Sequence, residues 1–282
     1  MSFINSPILA YHQIIPVGSL KNADPLAVSA DQFERQMNYL YHHSYRCLSL
    51  LELLSPSAGQ TFHPDKTFVL TFDDGYENFL TQAFPILQRY GFTATVFLVT
   101  DLVGAASDWA GEQGNPLLSW AQVKTLQRAG VSFGSHTHTH PVLPRLAGKQ
   151  IYFELATSRA CLEAQLEQEI LLLAYPYGES DAQVQSIARA VGYQAACGVA
   201  TGRAGRFNLL RRQCQRDDAL QTFIYRLSRP YSYWYGLRKW LREETKVGRF
   251  LRQIKRRRFA KMGKVSRETS LPDLISNKGV EQ

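Results

Sequence analysis

Three segments of the 282-residue chain carry side chains able to bind a metal ion and move protons. Asp73 and Asp74 adjoin in residues 71–75 (TFDDG), His136, His138 and His140 alternate in residues 135–141 (SHTHTHP), and residues 174–178 (AYPYG) contain a Pro-Tyr-Gly turn. Imidazole is the commonest metal ligand, and three in five residues is a local excess. Two imidazoles and one carboxylate leave positions open on a divalent ion for water and substrate, as a hydrolytic site requires. Such an ion polarises a carbonyl and lowers the pKa of water. Successive side chains of a strand alternate faces, so one of the two acids can serve a metal while the other faces substrate from another angle. His136 and His140 share a face of a helical turn, whereas all three histidines share a face of a strand. Gly134 before the cluster and Pro141 after it favour the helical or turn-like arrangement, with His138 the odd one out. Asp-Asp-Gly and Pro-x-Gly are each ordinary turn compositions, so the combination carries the reading.

The elements that must position these residues alternate between strand and helix. Residues 6–15 (SPILAYHQII) read as a short buried strand with Pro7 at its start and His12 near its C-terminal end. Ser29 and Gln32 have the spacing of a capping box, and Phe33, Met37 and Leu40 recur at helical spacing up to His43. A strand around 46–50 follows, then residues 66–72 (KTFVLTF), which run directly into the paired acids. A helix over 78–90 stops at Gly91, and residues 93–99 (TATVFLV) form the next strand. Helices over 119–129, 146–167 and 183–190 alternate with strands over 131–134, 170–175 and 193–197. Such alternation predicts an α/β fold, a parallel sheet or barrel covered by helices. Chemistry in these folds gathers at the C-terminal ends of strands, where Asp73, Asp74, His136 and the Pro176-Tyr177-Gly178 turn all fall.

Apolar residues at 45% and charged residues at 20% exclude a collagen-like or wholly disordered chain. No repeat of 20–50 residues and no glycine-rich phosphate loop is present, which leaves nucleotide binding without support. Cys47, Cys161, Cys197 and Cys214 lack any CxxC pairing and are expected as buried reduced thiols. The first residues lack a basic segment followed by an apolar one, and no apolar run approaches the roughly 20 residues of a membrane span. The expected location is therefore cytoplasmic, or peripheral at the inner membrane face. Between Arg229 and Arg267 fourteen Lys and Arg residues face two Glu, a net +12 against +8 for the whole chain, so the remainder is net acidic. Seven aromatic residues are interleaved with this charge. The composition suits a solvated terminal segment, an interfacial helix on an anionic membrane surface, or a polyanion-binding arm.

In their order along the chain, TFDDG, HTHTHP and AYPYG resemble the first three motifs of the polysaccharide deacetylases, the NodB-homology or carbohydrate esterase family 4 group. The similarity runs from about Ile8 to about Leu227. It implies a distorted or incomplete seven-stranded (β/α) barrel over residues 1–228, with 229–282 as a basic aromatic extension, partly helical and then disordered. It also implies hydrolytic N-deacetylation of a GlcNAc-type polysaccharide or glycolipid, with nucleic acid not expected as a partner. A divalent metal, usually zinc, would be bound by Asp74, His136 and His140, with Asp73 as the general base. Pro176, Tyr177 and Gly178 would shape the substrate groove, the Tyr177 backbone N–H donating to the oxyanion. Tyr76 and Trp120 are further candidates for a sugar-binding face, each equally readable as core packing.

Two departures stand against the resemblance. Family members commonly carry an Arg where this chain has Ala174, and that Arg orients the base. Many also place a catalytic His late in the chain, whereas none follows His140 here. His12 resembles the first-strand His of the exopolysaccharide-modifying subgroup, whose motif order is circularly permuted and whose His protonates the departing amine. A chain with these gaps unfilled would be a non-catalytic glycan- or membrane-surface-binding module on the same fold.

Overall fold

The computed structural model describes residues 6–18, 24–55, 64–107, 109, 114–198, 205–216, 218–228 and 231. The expectations for the basic segment after residue 228 lie outside these residues, Tyr231 apart. Among the described residues no helix is long and apolar enough to cross a membrane.

The strands are β1 (Ile8–Tyr11), β2 (Ile14–Ile15), β3 (Val28–Ser29), β4 (Arg46–Leu48), β5 (Thr67–Phe72), β6 (Thr95–Leu98), β7 (Ser132–Ser135), β8 (Leu172–Ala174), β9 (Ala195–Gly198), β10 (Leu209–Leu210) and β11 (Arg212–Gln213). All pairings between them are parallel. The main sheet runs β10-β9-β8-β7-β6-β5-β1-β11, with β4 against β5. Because β10 and β11 are one stretch interrupted only at Arg211, its halves join the two ends of the sheet into a nearly closed barrel. Helices α1 (Ala30–His42), α2 (Leu50–Leu54), α3 (Phe84–Tyr90), α4 (Trp120–Arg128), α5 (Gly148–Leu166), α6 (Ala182–Val191) and α7 (Leu220–Leu227) complete the chain order.

Side-chain alternation sorts the strands into two cores. Along β5, Phe68, Leu70 and Phe72 pack outward with the helices, whereas Val69 joins Ile8, Phe97, Leu172, Ala195 and Leu209 inside the barrel. Fully burying side chains of this size contributes about 1.5–3 kcal/mol each. Gly134 is required by close approach, since a Cβ there would lie 2.6 Å from the Phe97 ring and 2.9 Å from the Leu172 carbonyl oxygen.

Three local departures from the sequence reading have identifiable causes. The strand expected over 6–15 breaks at His12 and Gln13, because β2 leaves the barrel to pair with β3 and the Ile14 N–H donates to Asn78 Oδ1. Ser29 caps α1, but the reciprocal half of the capping box is absent. Gln32 Nε2 instead donates to the carbonyls of Gln215 and Asp218, beyond the closing strand. The helix over 78–90 opens with a π-helical turn at Phe79–Ala83 before α3, whose first turn holds Pro85 and therefore lacks one amide donor. The four cysteines are free, as expected, although only Cys197 and Cys214 are fully buried.

Candidate metal centre and active site

The inward-facing series that forms the barrel core also builds the site. On β1 it runs Ile8, Ala10, His12, and on β5 it runs Val69, Thr71, Asp73, with Ile8 opposite Val69 and Ala10 opposite Thr71. His12 and Asp73 are thereby brought level at the mouth, His12 Nε2 lying 3.9 Å from Asp73 Oδ2. His12 Nδ1 is buried with no hydrogen-bond partner among the described residues. On the closing strand Leu209 is inward, and two residues on Arg211 fills the gap between β10 and β11.

Arg211 answers the first departure. Its side chain is fully buried, donates from Nη1 and Nη2 to the two Asp73 oxygens at 2.6 Å each, and reaches Thr71 Oγ1 at 3.2 Å. Thr71 Oγ1 in turn donates to the Leu9 carbonyl, and the guanidinium lies 5.8 Å from the Phe97 ring centroid. Ala174 sits in the inward series of β8, where a second Arg would compete for the same interior. The sequence reading missed Arg211. Its only signal was a charged residue at an inward position of a strand, and a two-residue strand either side of it is too short to show a period. Burial opposes ionisation of Asp73, but Arg211, with His136 and His12 behind it, outweighs burial and holds the carboxyl well below the usual carboxylate range.

Asp74 turns away from this pair because its backbone is left-handed, with φ of 71°. Gly75 follows at φ 77°, and a Cβ there would strike the Leu98 side chain at 2.5 Å. Asp74 Oδ1 lies 3.3 Å from His136 Nε2 and 3.4 Å from His140 Nε2, and all three residues are buried. One ligand atom from each falls within 4.8 Å of the others. Three converging donors, two imidazoles and a carboxylate, fit a divalent ion with open coordination positions. Burial again opposes the charge on Asp74, and the hydrogen bond to His136 prevails and lowers its pKa. Burial works against protonation of His136, yet the charges of Asp73 and Asp74 raise its pKa above the ordinary value. His140 goes the other way, pushed down to about 3 by burial and by His136.

Of the helical or turn-like arrangements expected, the histidine segment takes the second, leaving β7 as a non-helical turn. Thr137 and His140 are left-handed at φ 72° and 62°, and Tyr177 joins them at 58°. Non-glycine residues held there cost on the order of 1–3 kcal/mol each, and four of the six among the described residues surround this site. His138 points away, within 3.0 Å of Thr100 Oγ1 and 3.7 Å of Asp101, as its odd position predicts. Tyr177 is 56% exposed and its ring lies 4.8 Å from that of His140. Trp109, also unremarked in the sequence, stacks on His140 at 4.1 Å. Tyr76 is buried, its hydroxyl pushed well up by burial and the charge of Asp74, and Trp120 packs from α4 against the outer core.

Fold and site together are those of a (β/α) barrel with an Asp-His-His cluster at its mouth, and the sequence profile described as polysaccharide deacetylase matches residues 61–196, just under half of the chain. Among individual proteins, the chain is 28% identical over 200 residues to the candidate polysaccharide deacetylase YxkH of Bacillus subtilis (strain 168), covering 71% of this chain and 66% of that one. It is 28% identical over 169 residues to a poly-β-1,6-N-acetyl-D-glucosamine N-deacetylase of Staphylococcus aureus (strain MSSA476), covering 57% of each. The chain thus spans less than two thirds of the length of these relatives. The Streptococcus pyogenes deacetylase PplD, solved in complex with acetate, superposes with a TM-score of 0.69 at 27% identity, over 79% of this chain and 98% of that one.

Proposed function

We propose that the chain is a metal-dependent amidohydrolase that removes acetyl groups from an N-acetylglucosamine-type glycan. The observation that carries this reading is the convergence of Asp74, His136 and His140 beside an Asp73 that Arg211 keeps ionised. A divalent ion held by those three residues, zinc by the nature of the donors, would act as a Lewis acid on the acetamido carbonyl. Asp73 takes a proton from the attacking water. Arg211 holds both Asp73 oxygens and keeps the carboxylate ionised. As the C–N bond breaks, His12 gives a proton to the departing nitrogen, leaving acetate and the free amine. The Tyr177 N–H, at the turn beside His140, donates to the carbonyl oxygen as it becomes negative.

Arg211 and His12 supply what the missing Arg and the missing late His called into question, which favours a catalyst over a binding module on the same fold. The name of the staphylococcal relative points to a β-1,6-linked polymer as substrate. Acetate release from β-1,6-linked N-acetylglucosamine oligomers and from chitooligosaccharides, with zinc added, tests the reading. Wild-type protein should release acetate from at least the first, and Asp74→Ala and His136→Ala should release none. Retained release in either variant would overturn it.

A further inference from the structure

The two histidines of the metal site are held in different ways. His136 Nδ1 donates to the Ala174 carbonyl at 2.8 Å, and its backbone N–H donates to the Leu98 carbonyl at 2.8 Å, so ring and backbone are both tied to the sheet. A second-sphere bond of this kind is what normally orients an imidazole ligand. His140 has none, since its Nδ1 is buried without a hydrogen-bond partner among the described residues. Its ring is guided by Trp109 and Tyr177, and otherwise by the course of its own backbone.

That backbone is governed from α5. Glu154, 6% exposed, accepts at Oε2 from the N–H groups of both His138 and Thr139 at 2.9 Å, and at Oε1 from the Thr139 hydroxyl at 2.7 Å. A carboxylate receiving two consecutive amides fixes the backbone at His138, between them, two residues before His140. The turn closes when the His140 N–H donates to Thr137 Oγ1 at 3.0 Å, across the two left-handed residues Thr137 and His140.

We infer that Glu154 is the positioning residue for His140: it makes no contact with a ligand atom, yet it sets the loop path that brings His140 Nε2 to Asp74. The inference rests on the metal-site reading above. The experiment measures zinc affinity by chelator competition, and the visible spectrum of the cobalt-substituted protein, at a temperature where every variant is folded. Glu154→Ala should weaken zinc by about 10- to 100-fold and alter the cobalt spectrum. Glu154→Gln, whose amide oxygen still accepts both backbone amides, should stay within a few-fold of wild type. Leu162→Ala, which removes a buried side chain from the same helix, should lower thermal stability and leave zinc affinity unchanged. If Glu154→Ala does not fold, Glu154→Asp, one carbon too short to reach the loop, must show the same loss against Glu154→Gln. Wild-type affinity in the Ala or Asp variant, or equal losses in the Gln and Ala variants, would overturn the inference. Failure of the wild-type chain to bind zinc at all would instead overturn the metal-site reading.

Discussion

The half of the site proposed to hold the metal and the half proposed to handle protons are assembled by different means. Asp74, His136 and His140 come from the ends of β5 and β7, with Asp74 and His140 turned by left-handed backbone and His136 held by the Ala174 carbonyl of the adjacent β8. His12, Asp73 and Arg211 come from segments far apart in sequence: the β1–β5 pairing brings His12 to Asp73, and the return of β11 to β1 brings Arg211. The first half is tied to neighbouring elements through Ala174 of β8 and Glu154 of α5. The second, built by closure, depends on all of the barrel.

Removing the metal should have the largest effect. Stripping by a chelator is expected to abolish acetate release and zinc to restore it, read by an acetate assay. Asp73→Asn should then separate the halves, lowering turnover by about 10²–10⁴-fold while zinc affinity stays within about two-fold of wild type. A parallel fall in affinity would show that the halves are not independent. Arg211→Met leaves a buried carboxylate without its partner and should cost about 3–5 kcal/mol of folding stability in urea unfolding. Adding Asp73→Asn to that variant should recover part of the loss, and additive losses would break the pairing. His12→Gln should reduce turnover on the amide by about 10²-fold. It should act much less on an aryl acetate, whose leaving group departs without a proton, and equal losses on both substrates would remove His12 from the role of acid.

The smallest effect is in acid. Asp73 titrates lower in the fold than in the unfolded chain, so the unfolded chain takes up the proton first as pH falls. The stability from its pairing is fully present above about pH 4 and is lost below it. The stability of Arg211→Met should therefore fall less steeply between about pH 4 and pH 2 than that of wild type.

The same division explains what could be read in the sequence. The strand and helix order follows from local composition, and the structure bears out the parallel barrel; alternation along a strand separates the two acids, while the assignment of Asp74 with His136 and His140 comes from the motif resemblance. His138 was set aside by spacing alone and does turn away. Arg211 was illegible because its role depends on which strand lies across the barrel, and no pattern within Leu209–Gln213 reports that. Trp109 was overlooked for a similar reason: only the three-dimensional stacking on His140 distinguishes it from any other loop tryptophan. Of the helical or turn-like arrangement expected for the histidines the turn is found, because Glu154 of α5 accepts the His138 and Thr139 amides that a helix would have used internally.

The break in the closing strand at Arg211 bears on how the protein is made. A nascent chain that has emerged only as far as β9 already contains Asp74, His136 and His140, yet Asp73 still lacks its guanidinium and β1 lacks the neighbour that completes the wall. The pairing of Asp73 with Arg211 is therefore the last part of the site that the growing chain can complete.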